Sequence, residues 1–212
     1  MNSDDKLLQP HYSLSMKFLI FLTVFWPSIV SAKTVVFLGD SLTEGYGIAK
    51  KDSYPELIGK KLKSNGFPSV KIVNGSISGS TSASAKSRLK WYLKTNPDLL
   101  VLALGANDGL RGIDPNVTER NLDEVVTLAK KHKIKVILCG LRMPPNYGNK
   151  FRKQFVKMYQ SVADRHKIVF VPQLLDKVAG EPTLNQEDGI HPNEKGHQSM
   201  ADHLYPYVKG QL

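Results

Sequence analysis

The stretch FLGDSLTEGYG at 37–47 brings an apolar run to an abrupt end in Gly-Asp-Ser, with Gly45 and Gly47 close behind. A turn alone would account for the glycines. A serine at the end of a buried strand is a nucleophile only if a neighbouring group accepts its proton. The usual acceptor is a histidine held in one tautomer by a carboxylate. In DGIHPN, Asp188 and His191 stand three positions apart, so Asp188 can bond one ring nitrogen and leave the other for Ser41. Taken alone, Asp-x-x-His also fits a helix N-cap beside a surface histidine. The chain has six histidines. His11 lies in a leader-like segment, His132 and His166 fall near helix ends at the far edge of the predicted sheet, and His197 and His203 sit within the last helix as surface or packing residues.

Hydrolysis through a tetrahedral intermediate also needs N–H donors aimed at the developing oxyanion. Three candidates are the backbone N–H of Ser41, the N–H of Gly79 in NGSISGSTS, and the carboxamide of Asn107 in GANDGLRG. Gly79 has no side chain to block a substrate. Each has a plainer reading, Gly79 as a turn and Asn107 as a side chain bonding its own loop. Their grouping at the ends of successive strands favours the chemical one. Asp40 and Asp108 adjoin these residues and are expected to brace their loops by accepting backbone N–H groups, not to orient His191.

The elements that must position these groups follow from β-branched, near-continuous apolar runs at 34–38, 70–74, 99–104, 134–139 and 167–171. Such runs suit strands buried on both faces of a parallel sheet. Helical segments are expected near 53–65, 80–95, 117–133, 149–166 and 193–209, the first closed by Asn65-Gly66. Strand-helix alternation predicts a three-layer α/β fold, flavodoxin-like, with a five-stranded parallel sheet in the order 2-1-3-4-5 and helices on both faces. Sites in such sheets form outside the carboxyl ends of the strands. Every candidate group above follows a predicted strand. After the third and fourth strands, GLRGI and MPPNY offer Leu110, Ile113, Met143 and Tyr147 as exposed apolar residues that could line an acyl groove. Arg111 or Arg142 would then lie near an anionic head or leaving group. The plainer alternative is that these residues only pack their loops.

Taken together, GDS at Ser41, Gly79 in NGSISGSTS, Gly-x-Asn-Asp at Asn107, and Asp-x-x-His at Asp188 and His191 resemble the four blocks of the SGNH (GDSL-type) hydrolases. The resemblance spans essentially all of 34–210. GANDGLRG, LRMPPNYG and DGIHPN resemble the bacterial thioesterase I/lysophospholipase/arylesterase group within that superfamily. Ala106 departs from it, since relatives often carry a second glycine there. The resemblance implies Ser41 as nucleophile, His191 as base, Asp188 as orienting acid, and Ser41, Gly79 and Asn107 as oxyanion donors. It implies acyl transfer to water through an acyl-serine, with an ester or thioester substrate and no metal or organic cofactor. An acetylesterase acting on envelope polysaccharide is one alternative. A non-catalytic protein binding anionic surfaces is another, and a metal-dependent phosphoesterase a third, for which only Asp188 and His191 suggest ligands.

At 212 residues, 41% hydrophobic and 23% charged, the chain suits one well-buried domain and not a disordered one. Met16-Lys17 leads into FLIFLTVFWPSIVSA, which reads as a secretory signal peptide over residues 1–32, started at Met16 and cleaved after Ala32. A retained anchor is the alternative. The remaining 33–212 reads as a single hydrolase domain, exported to the periplasm or secreted, and expected to be a monomer. The formal net charge of +10 favours transient contact with anionic lipid surfaces, although scattered lysines also serve as a solvated surface. No nucleic-acid motif is present, so nucleic acid is not an expected partner. Cys139, the single cysteine, cannot form an internal disulfide and reads as a buried inert thiol.

Overall fold

In β1 (Thr34–Gly39), TVVFLG, every residue is buried. It lies at the centre of a parallel sheet with β2 (Lys71–Asn74), β3 (Leu99–Ala103), β4 (Lys135–Cys139) and β5 (Val169–Val171), in the order β2-β1-β3-β4-β5. Val36 stands opposite Val73 on one side and Leu100 on the other. These observations come from a computed structural model that describes residues 32–212. The leader expected over 1–32 lies outside the described residues, apart from Ala32. Among the described residues no helix is long and apolar enough to cross a membrane.

The helices follow the strands in turn: α1 (Ser41–Glu44), α2 (Tyr54–Ser64), α3 (Ala85–Tyr92), α4 (Ala106–Leu110), α5 (Pro115–Lys131), α6 (Asn149–His166) and α7 (Glu194–Lys209). Going from β1 to β2 the chain moves one way across the sheet, and from β2 onward it moves the other way. Right-handed crossovers then put α2 on one face and α3, α5 and α6 on the other. The packing agrees: α2 lies against α7, while α5 packs against both α3 and α6. The core fills both gaps. Tyr54, Ile58, Met200 and Leu204 are buried in one, and Leu89, Leu122, Val125, Phe155 and Tyr159 in the other.

Boundaries differ from expectation where local chemistry intervenes. α5 starts early because Asp114 caps it, accepting from Asn116 N at 2.8 Å, and Pro115 suits the first turn. β5 is short because Lys167, at φ 53°, ends α6 with a left-handed turn that occupies the start of the expected strand. The expected helix at 80–95 has 3-10 turns at both ends, Ser82–Ser84 and Leu93–Thr95. Two helices were not expected at all: α1 and α4, of four and five residues. Neither is long enough to show a helical period, and they carry Ser41 and Asn107.

Candidate active site

The sheet reverses its direction of growth between β1 and β3, and α1 and α4 start at those strands' carboxyl ends. Asp40 is the N-cap of α1, with Oδ1 accepting from Leu42 N at 3.1 Å. The cap fixes the turn that presents Ser41. Asp40 is fully buried, and burial pushes its pKa up to about 6 against the opposing bond from Leu42. From α3, the Arg88 guanidinium donates to the carbonyls of Gly39, at 2.9 Å, and Gly75. One cation thereby ties the ends of β1 and β2 together beneath the site and partly balances the Asp40 charge.

Ser41 Oγ lies 3.0 Å from His191 Nε2, and His191 Nδ1 lies 2.6 Å from Asp188 Oδ2. This geometry suits one tautomer: Nδ1–H donates to the carboxylate, and the serine hydroxyl donates to Nε2. Asp188 Oδ1 accepts the backbone N–H groups of Ile190, at 2.8 Å, and His191, at 2.9 Å. Bonds from the His191 backbone and ring, with that from Ile190, pull the Asp188 pKa down to about 2. The acid is therefore an anion throughout the neutral range. Gln186 anchors this loop: its N–H donates to His191 O at 2.8 Å, and its side chain donates to Tyr46 O at 2.7 Å and Pro192 O at 3.0 Å. The Tyr46 ring packs on the His191 ring with centroids 4.6 Å apart.

Among the described residues, the backbone N–H groups of Ser41 and Gly79 make no hydrogen bond. Gly79 sits at φ +74°, and a Cβ there would lie 3.9 Å from Arg111 Nη2, an ordinary contact. That left-handed conformation is adopted at little cost only by glycine. Its loop is clamped on both sides. Glu44 of α1 accepts the N–H and hydroxyl of Ser78, and Arg111 donates to Gly79 O at 3.0 Å. Asn107 Nδ2 donates to Ser80 O at 3.1 Å, which orients the carboxamide and leaves its second N–H free. Gly105, at φ +124°, precedes α4, and a Cβ there would lie 2.1 Å from the Tyr159 hydroxyl. Asp108 accepts from Ser82 N at 2.8 Å and from Thr118 Oγ1 at 3.2 Å, so it braces the loop as expected of it.

On one side of Ser41 an apolar groove of about 680 Å³ is lined by Leu42, Ala106, Leu110, Met143, Tyr147 and Ile190, among others. Four of the six residues expected at an acyl site, Leu110, Arg142, Met143 and Tyr147, meet here; the Tyr147 hydroxyl donates to Leu110 O at 3.1 Å and closes the wall. Arg111 turns instead to Gly79, and Ile113, half-buried, is not among the groove residues. One expectation is corrected. Met143 is buried, not exposed, because Gly109 has no side chain and the Met143 thioether packs into the space beside it. A separate basin of about 620 Å³ is lined by the polar Glu44, Lys50 and Ser78 and by the apolar Tyr46, Ile48 and Ile77.

Tyr46, Glu44, Gln186, Ile190 and Arg88 are site residues that sequence reasoning missed. Tyr46 and Ile190 stood inside motifs already singled out, so nearness to Ser41 and His191 was the available signal. Nothing in the local sequence around Arg88 or Gln186 marks them.

The model of the GDSL-like Lipase/Acylhydrolase family matches residues 37–199, enclosing every group of this site. The chain belongs to that family. Esterase TesA of Pseudomonas aeruginosa is 36% identical to this acylhydrolase over 183 residues, 86% of this chain and 90% of the relative. The thioesterase 1/protease 1/lysophospholipase L1 of Escherichia coli is 34% identical over 192 residues, 90% of this chain and 89% of the relative. A solved structure of TesA superposes with a TM-score of 0.82 at 35% identity, covering 85% of this chain and all of that one. The chain thus shares its fold with a solved esterase and more than a third of its residues with it.

Proposed function

We propose that this protein is a serine esterase/thioesterase working through an acyl-serine intermediate at Ser41. The observation that carries the reading is the relay from Ser41 through His191 to Asp188. Ser41 Oγ attacks the acyl carbonyl as its proton passes to His191 Nε2. The oxyanion is held by Ser41 N–H, Gly79 N–H and Asn107 Nδ2–H. His191 then protonates the departing alcohol or thiol. Water, deprotonated by His191, releases the acid and restores Ser41. Asp188 supports the imidazolium.

The acyl chain lies in the apolar groove and the leaving group in the mixed polar and apolar basin, on the Tyr46 side of His191. Four exposed apolar side chains, Tyr46, Ile77, Leu110 and Ile190, line these two cavities. They suit a monomer that meets its substrate at an anionic lipid surface. The positive, then apolar, then small-residue order of 16–32 supports export to the periplasm or the medium.

The test is hydrolysis of p-nitrophenyl esters from acetate to palmitate, with Ser41→Ala alongside. Wild-type kcat/KM should climb roughly fourfold per added methylene until the groove is full, since each buried methylene contributes about 0.8 kcal/mol. Ser41→Ala should lose roughly a thousandfold or more while keeping its fold. A variant retaining most of the activity would falsify the mechanism. An acetate-only profile would shift the substrate to acetylated polysaccharide.

A further inference from the structure

A third cavity, of about 400 Å³, is lined by Arg142, Arg152, Lys153 and Lys157 together with Met143, Asn149 and Val156. Four of its seven residues are cations and none is a carboxylate. Among the described residues none of the four forms an ion pair, whereas Lys33, Lys61, Lys86 and Arg165 each meet an acidic partner. Positions 149, 152, 153, 156 and 157 form one face of α6, so the clustering comes from helical spacing and not from chance approach of loops. Arg152 Nε donates to Met143 O at 2.9 Å, which fixes that guanidinium beside the cavity. Like charges gathered in a concavity repel one another, and a bound anion relieves that repulsion.

The cavity adjoins the apolar groove: Arg142 and Met143 line both. Exposed Leu110 and Ile190 stand at the groove itself. Cations beside exposed apolar side chains match the layered chemistry of a bilayer surface, phosphate outside and hydrocarbon within. We propose that this basic cavity binds the phosphate of an anionic phospholipid, so that the groove opens onto the membrane. That phosphate belongs to a neighbouring lipid and not to the substrate, whose leaving group lies in the basin beside Tyr46. The membrane orientation rests on the reading of the groove as the acyl site.

The test is co-sedimentation of the full chain with vesicles of phosphatidylcholine alone, or of phosphatidylcholine mixed with phosphatidylglycerol. Lys153→Glu/Lys157→Glu is compared with Lys63→Glu/Lys131→Glu, which changes net charge equally but lies on α2 and α5. Binding should require the anionic lipid and fall roughly tenfold or more in the first pair, with much less loss in the second. Unfolding midpoints check that both pairs remain folded. Equal losses in the two pairs would reduce the effect to net charge and overturn the site. Displacement from vesicles by millimolar glycerol phosphate would assign the cavity to free phosphate and overturn the membrane reading. Ser41→Ala is expected to bind vesicles like the wild type, so failure of the catalytic reading and failure of this one are separable.

Discussion

Asn107 bonds Ser80 O through one carboxamide hydrogen, which leaves the other free. In the proposed mechanism Asn107→Ala removes a donor that acts on the oxyanion and not on the bound ester. It should therefore lower kcat by roughly a hundredfold to a thousandfold with KM little changed. Steady-state kinetics on one soluble ester would check this, and an equal fall in kcat/KM and rise in KM would contradict it. Ser41, Asp188 and His191 could be singled out in the sequence because each lies in a short motif, and the motifs together, not any one alone, resemble a known family. Arg88 and Gln186 could not. Each acts through contacts distant in sequence, Arg88 with Gly39 and Gln186 with Tyr46, and no local pattern records such a contact.

Helices α2 and α7 are joined by one buried side chain. His197 Nδ1 accepts the N–H of Tyr54, at the start of α2, at 3.2 Å, and the two rings stack. An accepting nitrogen requires the neutral ring. Burial pushes the pKa of His197 from 6.5 down to about 4, with Glu194 opposing. For a base with a depressed folded-state pKa, stability is full above 6.5, is lost as pH falls toward 4, and changes no further below that. The contribution is about 3 kcal/mol across the window. The destabilisation caused by His197→Gln should therefore be largest near pH 7 and shrink by about that amount at pH 4, as read by urea unfolding. A destabilisation independent of pH would show that the ring is not neutral in the folded protein. The sequence placed His197 correctly on the last helix as a packing or surface residue; only the packing of α7 against α2 chooses between the two.

At the scale of the whole molecule, the site depends on topology. Between β1 and β3 the connections leave in opposite directions, and the gap receives Ser41 from one strand end and Asn107 from the next. The segments that build this arrangement all lie between Thr34 and Lys209. A chain begun at Lys33 should therefore fold with an unfolding midpoint close to that of the full chain and similar kcat/KM on a soluble ester. N-terminal sequencing of exported protein should return the same start, Lys33. Loss of activity in the shortened chain would make residues 1–32 part of the folded enzyme.

The sequence by itself determined the five strands and their parallel pairing order, though the edge strands β2 and β5 are only half-buried where burial on both faces was expected, and it marked the four motifs that follow the strands. Those features are written locally, in β-branched runs, glycine turns and short motifs. Tertiary structure alone decided the rest. It buried Met143 beside Gly109, turned Arg111 from the groove to Gly79, and gathered the α6 cations into one cavity. It also folded α1 and α4 into single turns too short for any period to announce. Side-chain direction depends on what lies across the gap, and that is fixed only when strands distant in sequence are brought side by side.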